Sequence, residues 1–155
     1  MTLSENLLAK LSELNDNSAT IMAIENDSWR LTLQTEGLDR LSCSLREVTM
    51  NRRGNAPAGL TVKTWAERIA ASVSGLRENL KVLEVDATEN VAILRSESPS
   101  KKGTAVSYYE IRLQGMVQAT VQRFEADMKG TTRREQVAFP LTHEVLGKLI
   151  DDIVG

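Results

Sequence analysis

The stretch Tyr108-Tyr109-Glu110-Ile111-Arg112-Leu113-Gln114-Gly115-Met116-Val117-Gln118-Ala119-Thr120-Val121-Gln122-Arg123-Phe124 decides how the chain is read. On both sides of Gly115-Met116, apolar and polar residues alternate with period two, the signature of a strand with one buried face. The connection is short, so the two strands are expected to pair antiparallel. Adjacent tyrosines in a strand point to opposite faces, which makes Tyr108 or Tyr109 the less buried of the two. Arg123 shares the face of Val117, Ala119 and Val121, a charge on an otherwise apolar side.

Strand signals continue on either flank. Lys81–Val85 and Val91–Arg95 bracket the hairpin-like Asp86-Ala87-Thr88-Glu89-Asn90. Residues 96–104, polar with Pro99 and Gly103, read as a loop. After the turn Asp127-Met128-Lys129-Gly130, Glu135–Phe139 is a last short strand that Pro140 ends. Thr142 caps a final helix carrying Val145, Leu146, Leu149, Ile150 and Ile153, with Leu141 and Leu146 placed as a hydrophobic staple.

Toward the N-terminus, Thr61 caps a helix over 61–80, with Val62, Trp65, Ile69, Val73, Leu76 and Leu80 at steps of three and four. Gly75 within it costs about 1 kcal/mol against alanine unless a close approach to the sheet requires it. Residues 51–59 form a loop. Before it come Ala19–Ile24, Trp29–Gln34 and a third segment, 38–50, read as a strand although Leu38, Leu41, Leu45 and Val48 also fit a helix. Thr2-x-x-Glu5 is a capping box for a first helix with Leu3, Leu7, Leu8, Leu11 and Leu14 on one stripe, stopped by Asn15-Asp16-Asn17.

The expected fold is α+β. An antiparallel sheet of about six to eight strands, in the order α-β-β-β-α-β-β-β-β-β-α, carries helices on one face within a single domain, 1–155. A chain of 155 residues buries roughly 70% of its unfolded surface. With 41% hydrophobic and 26% charged residues it is an ordinary globular sequence. Aromatics supply only 4%, so aliphatic side chains must fill the core. A net charge of −2 disfavours a general nucleic-acid binder, which needs a basic face. No apolar run approaches the ~18 residues of a membrane span, and the first residues do not read as a signal peptide. Cys43 is the only cysteine, so no intrachain disulfide can form. Together these features point to the cytoplasm.

Residues capable of chemistry do not assemble into a motif. His143, the one histidine, falls in the first turn of the last helix and has no triad or metal-ligand spacing around it. Cys43 alternates with Leu41 and Leu45 and reads as a small buried hydrophobe. Glu110 is the nearest candidate for a perturbed carboxylate, although a solvated face explains it better. Phosphate-binding glycine loops are absent. No enzyme, cofactor or metal is therefore expected.

Binding residues are sought on the strand faces (Tyr108, Tyr109, Arg123 and Phe124) and in the basic loop pairs Arg52-Arg53, Lys101-Lys102 and Arg133-Arg134. If these pairs converge, they can clamp an anion. The leading expectation is a non-catalytic, chaperone- or adaptor-like protein, a homodimer that holds a protein partner on a sheet face or helix surface. The element order is similar to that of the secretion-chaperone type of fold, from which the extra strands near residues 105–139 depart. The alternative is a small-molecule-binding domain with an apolar pocket between the sheet and helix 61–80. A regulatory module touching nucleic acid through its basic loops fits the acidity least.

Overall fold

A computed structural model describes residues 2–14, 20–130 and 133–155. Three helices and ten strands follow in the order α1 (Leu3–Ser12), β1 (Thr20–Glu25), β2 (Trp29–Leu38), β3 (Ser42–Arg52), α2 (Val62–Ser72), β4 (Leu80–Asp86), β5 (Val91–Ser96), β6 (Ser100–Lys102), β7 (Ala105–Gln114), β8 (Gln118–Asp127), β9 (Glu135–Val137), β10 (Phe139–Thr142) and α3 (His143–Val154). The class is α+β, as expected, with more strands than expected. One fully antiparallel sheet runs β1-β2-β3-β8-β7-β5-β4, with β6 on β7, β9 on β8 and β10 on β3.

The strands at 105–127 pair along their whole length, from Ala105 opposite Asp127 to Gln114 opposite Gln118. Their alternation puts Ile111, Leu113, Ala119 and Val121 into the core, each fully buried. The helices cover that same face. Leu7 and Leu11 of α1, Trp65 and Ile69 of α2, and Leu146, Leu149 and Ile150 of α3 join one hydrophobic cluster with the strands. Thr2, Thr61 and Thr142 accept the N3 backbone N–H of α1, α2 and α3, removing one unpaired donor from each helix start. Leu8, the third leucine of the expected stripe, stays exposed. The expected stop at 15–17 lies outside the described residues. Among the described residues no helix is long and apolar enough to cross a membrane.

Four departures from the sequence reading shape the site. The ambiguous segment 38–50 is a strand, but it starts at Ser42 and runs on through Arg52, where a loop was expected. Likewise β2 continues through Glu36-Gly37, and the turn expected there is a bulged register shift against β3. Helix α2 stops at Ser72, with Val73 already extended. The apolar residues Val73, Leu76 and Leu80 are buried nonetheless. They lie in irregular chain and in β4, so their helical spacing reflects no helix. Finally, the polar segment 96–104 contains β6, because β7 outruns β5 and offers partners at Ala105–Ser107.

The last strand region is divided in two. β3 pairs with β8 only over Val48–Asn51, and beyond that the sheet forks. β9 lines the β8 lip, β10 lines the β3 lip, and the chain changes direction at Ala138 between them. Gln136 and Arg46 bridge the lips, each side chain bonding the other's backbone carbonyl, at 2.8 and 3.2 Å. Pro140 does not end the strand. The His143 N–H bonds Leu41 O, so alternation directs the Pro140 nitrogen away from β3, where no ladder bond is lost.

Candidate functional site

The register pairs Tyr109 with Arg123 and Tyr108 with Phe124. Period-two alternation sends the first pair to the helix side and the second to the opposite face. Four residues neighbouring in sequence therefore serve two separate places.

On the helix side, Tyr109 is buried edge-on against Phe139, ring centroids 5.5 Å apart. The Arg123 guanidinium lies 4.4 Å above the Tyr109 ring. Its Nη2 donates to Glu78 Oε2 and to Ser107 Oγ, both at 3.0 Å. Ser100 Oγ donates to the same carboxylate oxygen at 2.8 Å. The side chains of Arg123 and Glu78 are only 14% and 11% exposed, so this ion pair is mostly removed from water. Burial pushes the Glu78 carboxyl up, but the polar neighbours Ser96, Arg123 and Ser100, with the Arg123 charge, outweigh it and hold the group below its ordinary value. Burial raises the Tyr109 phenol, against the opposing Arg123 charge, and keeps it neutral.

Glu78 reaches this position because the chain leaves α2 early. Gly75 passes so close to α3 that a Cβ there would lie 3.0 Å from Val145 Cγ1. Arg77 then adopts φ 63°, a left-handed conformation costing a non-glycine residue roughly 1–2 kcal/mol. The two turns deliver Glu78 beneath the fork of the sheet.

Above the pair opens a cleft of about 520 Å³. Leu76, Phe139, Pro140, Leu141 and Val145 form its apolar walls, and Ser42, Ser100 and Thr142 add hydroxyls. Two buried atoms of the ion pair, Glu78 Oε1 and Arg123 Nη1, have no hydrogen-bond partner. One is an acceptor and the other a donor, and both flank the Oε2–Nη2 contact. A buried polar atom left in that condition costs free energy, more so when charged.

The opposite face is fully satisfied. Glu110, expected on a solvated face, is 4% exposed. It accepts from Arg95 Nε at 2.8 Å and from Arg134 Nη1 at 3.0 Å. Arg134 also stacks 3.8 Å over Phe124, which meets Tyr108 at 6.1 Å. Two arginines and two aromatic rings thus shield the carboxylate, and the cluster fastens the chain before β9 onto the sheet. The α1–α3 side carries a second concavity of about 650 Å³, with Leu8, Leu41 and Gly147 in its lining. Leu41 is 77% exposed there.

The basic pairs divide between the two ends of the sheet. Arg52 caps the tryptophans, 4.4 Å over Trp29 and 5.5 Å over Trp65, and donates to Met116 O. Arg53 donates to Asn26 O. Both sit by the β7–β8 turn, where Arg52 N–H meets Val117 O. Arg133 is exposed at the other end, in a shallow concavity with Thr104, Glu125 and Asp127. Lys101 and Lys102 lie at that same end, opposite Val106 and Ala105. From Gln118 to Glu125 is seven residues, roughly 23 Å at ~3.3 Å per residue. Arg52-Arg53 therefore does not converge with the other two pairs.

Of the reactive types, Cys43 is buried and its thiol is pushed up to about 11, by burial first and by the Asp39 charge second. His143 Nε2 is buried without a partner beside the α1–α3 concavity. Among the described residues no group of three or more His, Cys, Asp or Glu side chains could hold a metal ion.

Sequence reading found Tyr109 and Arg123 but missed Glu78, Ser100 and Phe139. Glu78 falls on the polar side of the helix that the spacing predicts over 61–80. The pocket expected between the sheet and helix 61–80 is displaced too. Trp65, Ala66 and Ile69 fill the space under α2 completely, while Gly75–Glu78, from the expected second half of that helix, line the cleft. No match to a protein-family model, to a curated protein or to a solved structure was found for this chain.

Proposed function

We propose that this chain is a non-catalytic, adaptor- or chaperone-like binding protein that holds a segment of a protein partner in the cleft over Arg123 and Glu78. One observation carries the reading: the Glu78–Arg123 ion pair lines an apolar-walled cleft, and two of its buried atoms, the donor Arg123 Nη1 and the acceptor Glu78 Oε1, make no hydrogen bond within the fold. An amide offers the complement of that pair. Its carbonyl accepts from the guanidinium and its N–H donates to the carboxylate. Peptide backbone and the carboxamides of Asn and Gln are the commonest such groups on proteins. The Pro140 carbonyl, directed away from β3 beside the cleft, offers one backbone acceptor to a segment running along β10. The strained Arg77, next to Glu78, is the kind of backbone outlier that clusters at ligand sites. A single cysteine, buried as an unpaired thiol, supports a reducing, cytoplasmic setting.

The test uses a random peptide library selected against the intact protein, followed by anisotropy titration of the selected peptides and of N-acetylglutamine methylamide. Binding is expected to shift the amide NMR signals of residues 76–78 and 139–142. It is expected to weaken at least tenfold in the double variant Glu78→Met, Arg123→Met, whose apolar pair keeps the chain folded. Binding that ignores the double variant would sink the proposal. A small-molecule screen that yields ligands for this cleft where peptides yield none would move the reading to the small-molecule alternative, which the cleft volume also accommodates.

A further inference from the structure

We infer that two copies of this chain join through β1, edge to edge, into one continuous sheet. This stands independently of the cleft, which lies elsewhere in the molecule.

The main path of the sheet ends in two outer strands, β1 and β4, and they are built differently; the short β6, β9 and β10 are paired on one side only as well. An exposed edge offers unpaired N–H and C=O groups to any passing strand, and proteins blunt such edges with bulges, lysines and other charges. β4 is blunted in this way. Its register slips between Val82 and Glu84, and its sequence carries Lys81, Glu84 and Asp86. β1 has none of these devices. Thr20–Glu25 pairs with β2 in unbroken register over all six residues. It contains no proline or lysine, and its one charge, Glu25, is already matched by Arg30 at 3.3 Å. Among the described residues no strand pairs with its other side.

The open side is also specific in what it presents. Asn26 N–H bonds Trp29 O, which makes that pair hydrogen-bonded. Alternation then points the backbone groups of Met22 and Ile24 at β2 and those of Ile21, Ala23 and Glu25 outward. The outward-bonding residues Ile21 and Ala23 also carry exposed side chains on the face away from the helices, Ile21 at 69% exposure.

A strand with this arrangement complements itself. Across a twofold axis through Met22, Ile21 of one copy stands opposite Ala23 of the other, and the reverse. Each pair exchanges two backbone hydrogen bonds, and the two Met22 side chains meet on the helix side. Same-face pairing is preserved, because opposed residues in this register differ by an even number of positions. The exposed isoleucines become cross-strand neighbours of alanine, and no like charges oppose one another. The contact is isologous and closes at two copies, so it ends in a dimer and not in a fibre.

The test is sedimentation velocity on the intact chain over a wide concentration range, with three variants. Wild type is expected at twice the 17.1 kDa chain mass. Ile21→Lys places a charge on the exposed edge, and Ala23→Pro removes an outward N–H without touching a bond to β2. Both are expected to run as folded monomers, with unchanged far-ultraviolet circular dichroism. Leu83→Lys on β4 is expected to remain a dimer. Should Ala23→Pro fail to fold, Ile21→Lys decides alone, since its side chain already faces water. A monomeric wild type, a dimer that survives Ile21→Lys, or a dimer lost on Leu83→Lys would each overturn the inference.

Discussion

The indole Nε1 of Trp65 donates to the backbone carbonyl of Ile153 at 3.0 Å, deep between α2 and the end of α3. Arg68 Nη2 reaches the same oxygen at 2.7 Å. The two bonds tie the helices through a carbonyl that α3, ending at Val154, leaves without an intrahelical donor. Trp65→Phe removes one of these bonds and part of a fully buried ring. The expected loss is roughly 2–3 kcal/mol. In urea titrations the midpoint should fall with the slope unchanged.

Gly75 and Val145 make a sharper test of close packing. Gly75→Ala would gain a few tenths of a kcal/mol in an open site, roughly 0.4–1, by restricting the unfolded chain. Here the added Cβ meets Val145 Cγ1 at 3.0 Å, and the expected result is a net loss of about 1 kcal/mol. Adding Val145→Ala removes the obstruction. The double variant should be more stable than the sum of the two singles implies, a coupling that thermal denaturation of all four proteins measures.

Glu78 makes stability depend on pH in a defined direction. Its carboxyl sits below the ordinary value of 4.5 in the folded chain, so the unfolded chain binds the proton more readily. The stabilisation is complete above pH 4.5 and disappears as pH falls through the lower folded value. Glu78→Gln leaves the Arg123 charge buried without its partner and should cost about 3 kcal/mol near neutrality. The gap between wild type and variant should close in denaturation curves taken at successively more acid pH. A gap that widens on acidification would contradict the assignment.

Arg134 is expected to act as a latch on β9. Arg134→Ala leaves Glu110 to Arg95 alone and uncovers Phe124, at a cost of about 1–2 kcal/mol. Amide hydrogen exchange should quicken at Gln136 and Val137 more than at Leu141, which is held by β3. Arg134→Lys should recover only part of the protection, because an ammonium does not reproduce a planar fork that bonds a carboxylate while stacking on a ring.

Cys43 should resist thiol reagents in the native protein at pH 8, since burial and a thiol pushed up to about 11 suppress the thiolate. Labelling should appear in step with unfolding by denaturant.

Much of this molecule could be read from local pattern. Three threonine caps, the alternation of Trp29-Leu31-Leu33, and the long strands around Gly115 each express a rule that acts within a few residues. Arg123 was conspicuous for the same reason, a charge in an apolar row. What escaped notice answers to distant neighbours. Val73, Leu76 and Leu80 keep helical spacing by coincidence, while Gly75 is shaped by α3 and Arg77 by the need to turn the chain beneath the fork. Ser100–Lys102 has no strand character of its own and pairs because β7 extends past β5. Glu110 seemed solvated because its cover, Arg95 and Arg134, comes from other parts of the chain. Half of the candidate site was therefore visible as one odd residue, and its partner was hidden by a helix that stops early.

The forked sheet also imposes an order on how the molecule can assemble. β3 and β8 can meet along Val48–Asn51 before residues 135–142 exist, but the sides of their far halves that face the fork have no strand to pair with until that segment emerges from the ribosome. Phe139, fully buried in the finished protein, arrives late, and α3 follows directly behind it. During synthesis the interior thus stays open to water on the fork side until the segments that form the two lips and the third helix, the last in the element order, have been made.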